Sequence, residues 1–257
     1  MLNTFWSEFG IFFVAAVLGS AAVLPYSLRL IPKDRPLKFS TPVLFLLSML
    51  QNAVLFGVAI GFGLWLAHAV GLGAPYIEAA LTGAAAPQMT GLIAAGIFGA
   101  VAGVALLIAD IGFLPYWPQA LRRTALETTV FENFLASFYG GINEELLVRL
   151  FGFSLLAWLL LFVSHQTIAV FWISNVIMTV LFGIGHVPAL KGLLGTIPRA
   201  MLVRSLLLNA PIGLLCGWLF WTYGIEAAIV THFCADIVYH VFGTIVLRNF
   251  IARQPAV

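Results

Sequence analysis

About seven stretches of this chain are apolar for long enough to cross a bilayer, which takes roughly 20 residues. They fall at residues 8–31, 41–70, 91–114, 135–163, 167–187, 205–223 and 226–247. Of the 257 residues, 62% are hydrophobic and only 9% are charged, against roughly 25% charged in soluble domains. A soluble core could not hide that much apolar surface, so the solvent around the chain is lipid. The expected fold class is all-α, a polytopic membrane helical bundle of about seven transmembrane helices. A net charge of +2 gives no electrostatic basis for binding nucleic acid. Membrane lipids are the partners that the composition implies.

Breakers separate the runs: Pro32 and Pro36, Gly71 to Pro75, Pro115 and Pro118, Pro188, Pro198, and the Tyr223-Gly224 pair. Residues 71–86, rich in Ala and Gly, are the longest expected loop, and Pro188 is expected to end the fifth span. Basic residues alternate from loop to loop. Arg29, Lys33, Arg35 and Lys38 fall around the first loop, and Arg122 and Arg123 in the third. Lys191, Arg199 and Arg204 fall in the fifth, and Arg248 and Arg253 in the tail. That alternation fits an N-terminus outside and a C-terminus in the cytosol. It leaves Arg149 as the one basic residue within a span. Asn3 and Glu8 stand where a signal peptide would carry its basic region, so the first run is expected to be a permanent span. Residues 119–134 are mildly amphipathic, with Leu126, Val130 and Phe134 at four-residue spacing. They suit either an interfacial helix or an extension of the fourth span.

Charge in hydrocarbon is expensive and must be paired or used. The fourth run nevertheless holds Glu144, Glu145 and Arg149. Glu145 and Arg149 are four apart, acid before base, the favoured order for a helical ion pair. Glu144 points about 100° away from Glu145 on the helix, leaving it without a local cation and suited to act as a general base toward water. In the fifth run Phe182 and His186 share a face, and Gly183 and Gly185 beside them allow close approach of another backbone. In the seventh, His232 and Asp236 are again four apart, and His240 continues the stripe, which must look inward. Taken singly, a histidine in a span is as readily a helix-to-helix hydrogen bond, and a Glu–Arg pair a structural tie. Three such signatures, in order on three spans, are hard to explain in that way.

Other polar residues have plainer readings. His165 lies in a short loop, His240 one turn past the useful acid, and His68 at an interfacial span end. Asp110 ends the third span and is expected to reach headgroup water. Trp6, Tyr76, Tyr116, Trp117 and Tyr223 read as interfacial anchors. Cys216 and Cys234 have no metal-like spacing and read as packing residues. Ser174 and Ser205 have no base at helical spacing, so no serine or cysteine nucleophile is evident.

The patterns Glu-Glu-x-x-x-Arg at 144–149, Phe-x-x-x-His at 182–186 and His-x-x-x-Asp at 232–236 resemble the three motifs of the CPBP intramembrane protease family. That family, whose members are described as metalloproteases or glutamic endopeptidases, includes the type II CAAX prenyl endopeptidases and bacteriocin-processing or immunity proteins. The resemblance runs from about Ala136 to Val246. It implies a catalytic membrane domain over residues 135–257, joined in one bundle to the N-terminal membrane helices and interfacial segment of residues 1–134. It further implies that Glu144 activates water with help from His186, while His232 and Asp236 stabilise the oxyanion. Glu145, Arg149 and Phe182 would orient these groups. Two positions depart from the commonest pattern. Leu150 stands where Gly is frequent, a difference of packing. Asp236 stands where many members have Asn, and an ionised Asp cannot donate a hydrogen bond to an oxyanion. Asp236 must then be protonated, orient His232 or bind a metal.

The activity implied is hydrolysis of a peptide bond in a peptide or membrane-protein substrate, with no cofactor required. A zinc-dependent version would use His186, His232 and Glu144, although the His-Glu-x-x-His helix of metalloproteases is absent. A proton-coupled transporter and a non-catalytic binding or immunity protein are the alternatives of other classes. One tension attaches to the span limits. They put Glu144 and His186 in the cytosolic half, yet leave His232 only about 9 Å from the outer end of its span at 1.5 Å per residue. Either the seventh span is displaced or tilted, or its start near Gly224 is misplaced; the second is the expectation.

Overall fold

A computed structural model describes residues 2–31 and 39–252. Pro32, Lys33, Arg35, Pro36, Lys38 and Arg253 lie outside the described residues. Every described element is a helix, as a lipid-facing chain requires if its backbone polar groups are to be paired. Six helices are long and apolar enough to cross a membrane: Thr4–Arg29, Thr41–Ala69, Thr90–Tyr116, Thr167–Leu194, Arg199–Tyr223 and Ile225–Ala252. The chain is a multi-pass membrane protein.

The first of these joins α1 (Leu2–Ala22) to α2 (Leu24–Arg29), and the second is α3 (Thr41–Ala69). The expected loop at 71–86 instead contains a helix, α4 (Pro75–Thr82), started by its proline and stopped by Gly83 in a left-handed conformation. After α5 (Thr90–Phe113) comes α6 (Gln119–Glu127), which buries none of its residues. The chain then breaks at Thr128, so α6 is no extension of the next helix. Thr129 and Glu132 form a reciprocal capping box that starts α7 (Val130–Phe138).

From Val130 to Leu161 the backbone stays helical without a break, but its winding changes. Tyr139–Glu144 and Leu146–Phe153 are wound as wider π turns before α8 (Ser154–Leu161) resumes the α form. π turns are rare and concentrate at functional sites; here they carry Glu144 and Arg149 and flank Glu145. Next come α9 (Thr167–Gly185), α10 (Val187–Leu194) and α11 (Arg199–Tyr223). Pro188 does not end its span: it sits in the first turn of α10, where its missing N–H costs nothing. The last rod is α12 (Ile225–Asp236), a π stretch Ile237–Phe242, and α13 (Gly243–Ala252).

Small residues set how closely the helices approach. A Cβ on Gly99 of α5 would strike the backbone carbonyl of Thr231 on α12, and one on Gly103 would come within 2.7 Å of the Ala235 carbonyl. Leu150 is fully buried, and Gly63 of α3 makes room for it: a Cβ there would lie 3.1 Å from both the backbone and Cγ of Leu150. The departure at Leu150 is therefore absorbed by a glycine on another helix.

Three expectations, on Asp110, Arg204 and Trp117, are overturned. Asp110 does not reach headgroup water; it is fully buried and bound by both ends of the Arg204 guanidinium, at 2.5 and 2.7 Å, and by the Tyr239 hydroxyl at 2.7 Å. Arg204, expected in a loop, lies within α11, so Arg149 is not the one basic residue in a spanning helix. A buried carboxylate needs such a partner, and a pair 94 residues apart leaves no local trace in the sequence. Trp117, read as an interfacial anchor, is buried, with the Arg204 guanidinium 4.9 Å from its ring centre.

The start of the last rod also stands where the sequence put it, to within one residue, so a misplaced boundary does not explain the depth of His232. That end of α12 is roofed by α4. The Ile225 N–H donates to the Gly73 carbonyl (3.1 Å), and Glu226 accepts from the Tyr76 and Ile77 amides (3.0 and 2.9 Å) at the start of α4. Ile225, Ala227 and Ala228 are fully buried.

Candidate active site

The first-motif helix and α12 meet through two glycines. A Cβ on Gly141 would lie 2.8–3.2 Å from Phe233, and one on Gly140 would collide with the Asp236 carboxylate. Their absence of side chains lets Glu144, Glu145, His232 and Asp236 share one space. Asn143, next to Glu144, fixes this segment to α1: its amide donates to the Ala16 carbonyl (2.8 Å) and to Ser20 Oγ (2.9 Å).

Glu145 and Arg149 pair as their spacing predicts, at 2.9 Å, both buried. Arg149 also donates to the Gly213 carbonyl of α11 (2.8 Å) and lies 5.0 Å from the Phe182 ring centre. The sequence did not reveal the second partner of Glu145. Its Oε1 accepts a 2.6 Å hydrogen bond from Nδ1 of His232. That bond directs Nε2 of His232 the other way, toward Glu144 Oε2 at 3.9 Å and Asp236 Oδ1 at 3.8 Å. His186 is set by a comparable device. Its Nδ1 donates to the Phe182 carbonyl (2.8 Å), and its Nε2 faces Glu144 Oε1 at 3.8 Å. The Phe182 ring stands edge-on to both imidazoles, with centroids 4.8 Å from His186 and 5.7 Å from His232.

Glu144, His186, His232, Asp236, Glu145, Arg149 and Phe182 are thus brought together. Asp236 is not hydrogen-bonded to His232; Glu145 holds that ring instead. His240 joins the same surroundings, its Nε2 3.7 Å from Asp236 Oδ1. His165 stays in its exposed loop. The π winding contributes here, because it carries Glu144, and leads into Glu145, on a segment already pressed against α12.

Glu144, His186, His232, Asp236 and His240 line a cavity of about 420 Å³. Its other walls are largely apolar, among them Leu106, Leu193, Leu208 and Ile212, and it reaches Leu30 just past α2, Leu121 of α6 and Leu190 of α10. Arg204 and Tyr26 add polar groups on that side.

The donor geometry bears on a metal at this place. Two ligands of a tetrahedral zinc lie about 3.3 Å apart, given bonds of ~2.0–2.1 Å. Both histidine contacts of Glu144 are longer, and they use different oxygens. Among the described residues, the donors that do converge here are Glu145, Cys216 and His232. In that trio Glu145 Oε1 is already engaged by Arg149 and His232, and the buried guanidinium stands where a cation would repel it. Neither set fits a catalytic zinc. Cys216 is fully buried, with its thiol directed to the Ala228 carbonyl (3.7 Å), so it packs as expected.

Residues 126–238 match the family model described as type II CAAX prenyl endopeptidase, Rce1-like. This is the protease family whose motifs the sequence resembles, and the matched segment contains every candidate catalytic residue. No curated protein and no solved structure matches the chain.

Proposed function

Taking the match of residues 126–238 to an endopeptidase family as the premise, we propose that this chain hydrolyses peptide bonds inside the membrane with a water activated by Glu144. One observation carries the reading: the Glu144 carboxylate lies between Nε2 of His186 and Nε2 of His232, at 3.8 and 3.9 Å, on the wall of a largely apolar cavity. These gaps exceed a direct hydrogen bond and suit one water held by all three groups.

The chemistry follows from the hydrogen bonds around that point. With Nδ1 of His186 committed to a carbonyl, neutral His186 offers its Nε2 lone pair to the water. Glu144 takes the proton as the water oxygen attacks the scissile carbonyl carbon. The tetrahedral oxyanion is met by His232, whose Nε2 donates when the ring is an imidazolium. Glu145 favours that cation and Arg149 fixes Glu145. Protonated Glu144 then delivers its proton to the leaving amine as the C–N bond breaks. Asp236 lines the substrate side of His232.

The rod from Val130 to Leu161 is proposed to carry a further span from about residue 135 onward, fourth in chain order, which makes seven with the N-terminus outside and the C-terminus cytosolic. Arg29, Arg122, Arg123, Lys191, Arg199 and Arg248 all fall at one end of the helices, which supports that orientation. The cavity reaches the same end, so substrate enters from the cytosolic side. Its apolar walls suit a peptide carrying a hydrophobic or prenyl group. Purified protein in proteoliposomes, given a prenylated C-terminal peptide and its unprenylated counterpart, tests this. Release of the C-terminal fragment, faster from the prenylated peptide, is expected. Absence of cleavage of either peptide, in vesicles of varied lipid, contradicts the CAAX-type reading.

A further inference from the structure

Glu8 of α1, His68 of α3 and Glu78 of α4 converge at the end of the bundle where α1 begins and α3 ends, apart from the cavity. Glu8 is fully buried in an apolar bundle, and neither of its oxygens accepts a hydrogen bond from any described residue. A buried carboxylate left in that state is costly. His68 Nε2 is 3.5 Å from Glu8 Oε2 and 3.4 Å from Glu78 Oε1. Those distances are long for charge-assisted hydrogen bonds, which fall near 2.7–2.9 Å. They match the separation of about 3.3 Å between two ligands on one tetrahedral zinc.

The surroundings leave room for such a set. A Cβ on Gly73 would collide with the Glu78 carboxylate and crowd the His68 ring at 3.4–3.5 Å. His68 and Glu78 are 40% and 38% exposed, which gives an ion a path from water and leaves a fourth position for a solvent ligand. Two carboxylates and a neutral imidazole carry a charge of −2, which a divalent cation cancels.

We infer that Glu8, His68 and Glu78 form a structural site for a zinc-class divalent metal, separate from the catalytic groups. The ion ties α1 and α3 to α4. Because α4 also receives the Glu226 carboxylate and covers the start of α12, the site anchors the end of the helix that bears His232.

The test uses full-length protein in detergent, stripped with a chelator and titrated with zinc alone, with bound zinc and melting temperature as readouts. One zinc per chain and a zinc-dependent rise in melting temperature are expected. Both should persist in a Glu144→Gln, His186→Ala double variant. His68→Ala and Glu78→Gln should each weaken binding by roughly a hundredfold or more, since even outer-shell changes cost about 10–100-fold. Both residues lie at the rim, so these variants are informative even where Glu8→Gln fails to fold. Unchanged zinc binding in His68→Ala, loss of zinc in the Glu144 and His186 variant, or no zinc in the wild type would each overturn the assignment.

Discussion

Glu145 and His232, 87 residues apart, share a 2.6 Å hydrogen bond that fixes the direction of the imidazole. Glu145 is thereby common to two buried contacts: it neutralises Arg149 and it aims Nε2 of His232 at the cavity. In the mechanism proposed above, the second residue of the first motif positions the histidine of the third.

Removing that carboxylate should damage stability and turnover separately. Glu145→Ala leaves the Arg149 guanidinium buried without its anion, a loss of about 3–5 kcal/mol. Glu145→Gln keeps the shape and one acceptor, so it should fold better yet lower turnover by on the order of 10²–10³, the usual cost of a lost oxyanion contact. Denaturant unfolding in detergent, alongside cleavage rates, checks both. Normal turnover in Glu145→Gln would remove the positioning role.

Asp236 should tolerate neutralisation. It makes no hydrogen bond to His232, and Asn in its place could donate to the oxyanion where ionised Asp cannot. Asp236→Asn is expected to retain most cleavage, well short of the roughly 10²–10⁴-fold loss of a proton-transfer group. A loss as deep as that of a Glu144 variant would make Asp236 a participant in proton transfer.

The buried pair of Asp110 and Arg204 links α5 to α11, with the Tyr239 hydroxyl on the same carboxylate. Asp110→Leu alone should cost about 3–5 kcal/mol, while Asp110→Leu with Arg204→Met should recover most of it, because the unpaired charge is gone. A double-mutant unfolding cycle measures this; additive losses would mean that the two side chains are uncoupled.

These relationships explain which features were legible in the sequence. Apolar runs and four-residue spacings are local, so the places of six spanning helices, the Glu145–Arg149 pair and the shared face of Phe182 and His186 could be read directly. The Asp110–Arg204 pair, the hold of Glu226 on the first turn of α4 and that of Glu145 on His232 join residues 94, 149 and 87 positions apart. Local periodicity carries no record of such pairs. Residues 71–86 misled for a different reason: Ala and Gly suggested a loop, while Pro75 and Gly83 start and stop a helix between them. Pro188 likewise signalled a stop where the chain uses it as a start.

Outside the spans, the capping box at α7 should make stability depend on pH. Burial alone would raise the pKa of Glu132, but its hydrogen bonds from the Thr129 amide, Arg29 and the Thr129 hydroxyl outweigh this and lower it. A carboxyl with a lowered folded pKa contributes fully above the ordinary glutamate value of ~4.3, and its contribution is lost as pH falls through the folded value. Thr129→Ala should cost about 1 kcal/mol at pH 7. Glu132→Gln should remove part of the acid sensitivity of unfolding. An unchanged pH profile in Glu132→Gln would show that the box contributes nothing there.

The most direct measurement is cleavage of a prenylated C-terminal peptide by the Glu144→Gln variant in proteoliposomes, beside wild type. The substitution keeps the size of a side chain that lies between His186 and His232 but removes its basicity. Loss of essentially all cleavage, with melting temperature and elution unchanged, is the expected result. Cleavage at the wild-type rate would contradict the assignment of Glu144 as the base.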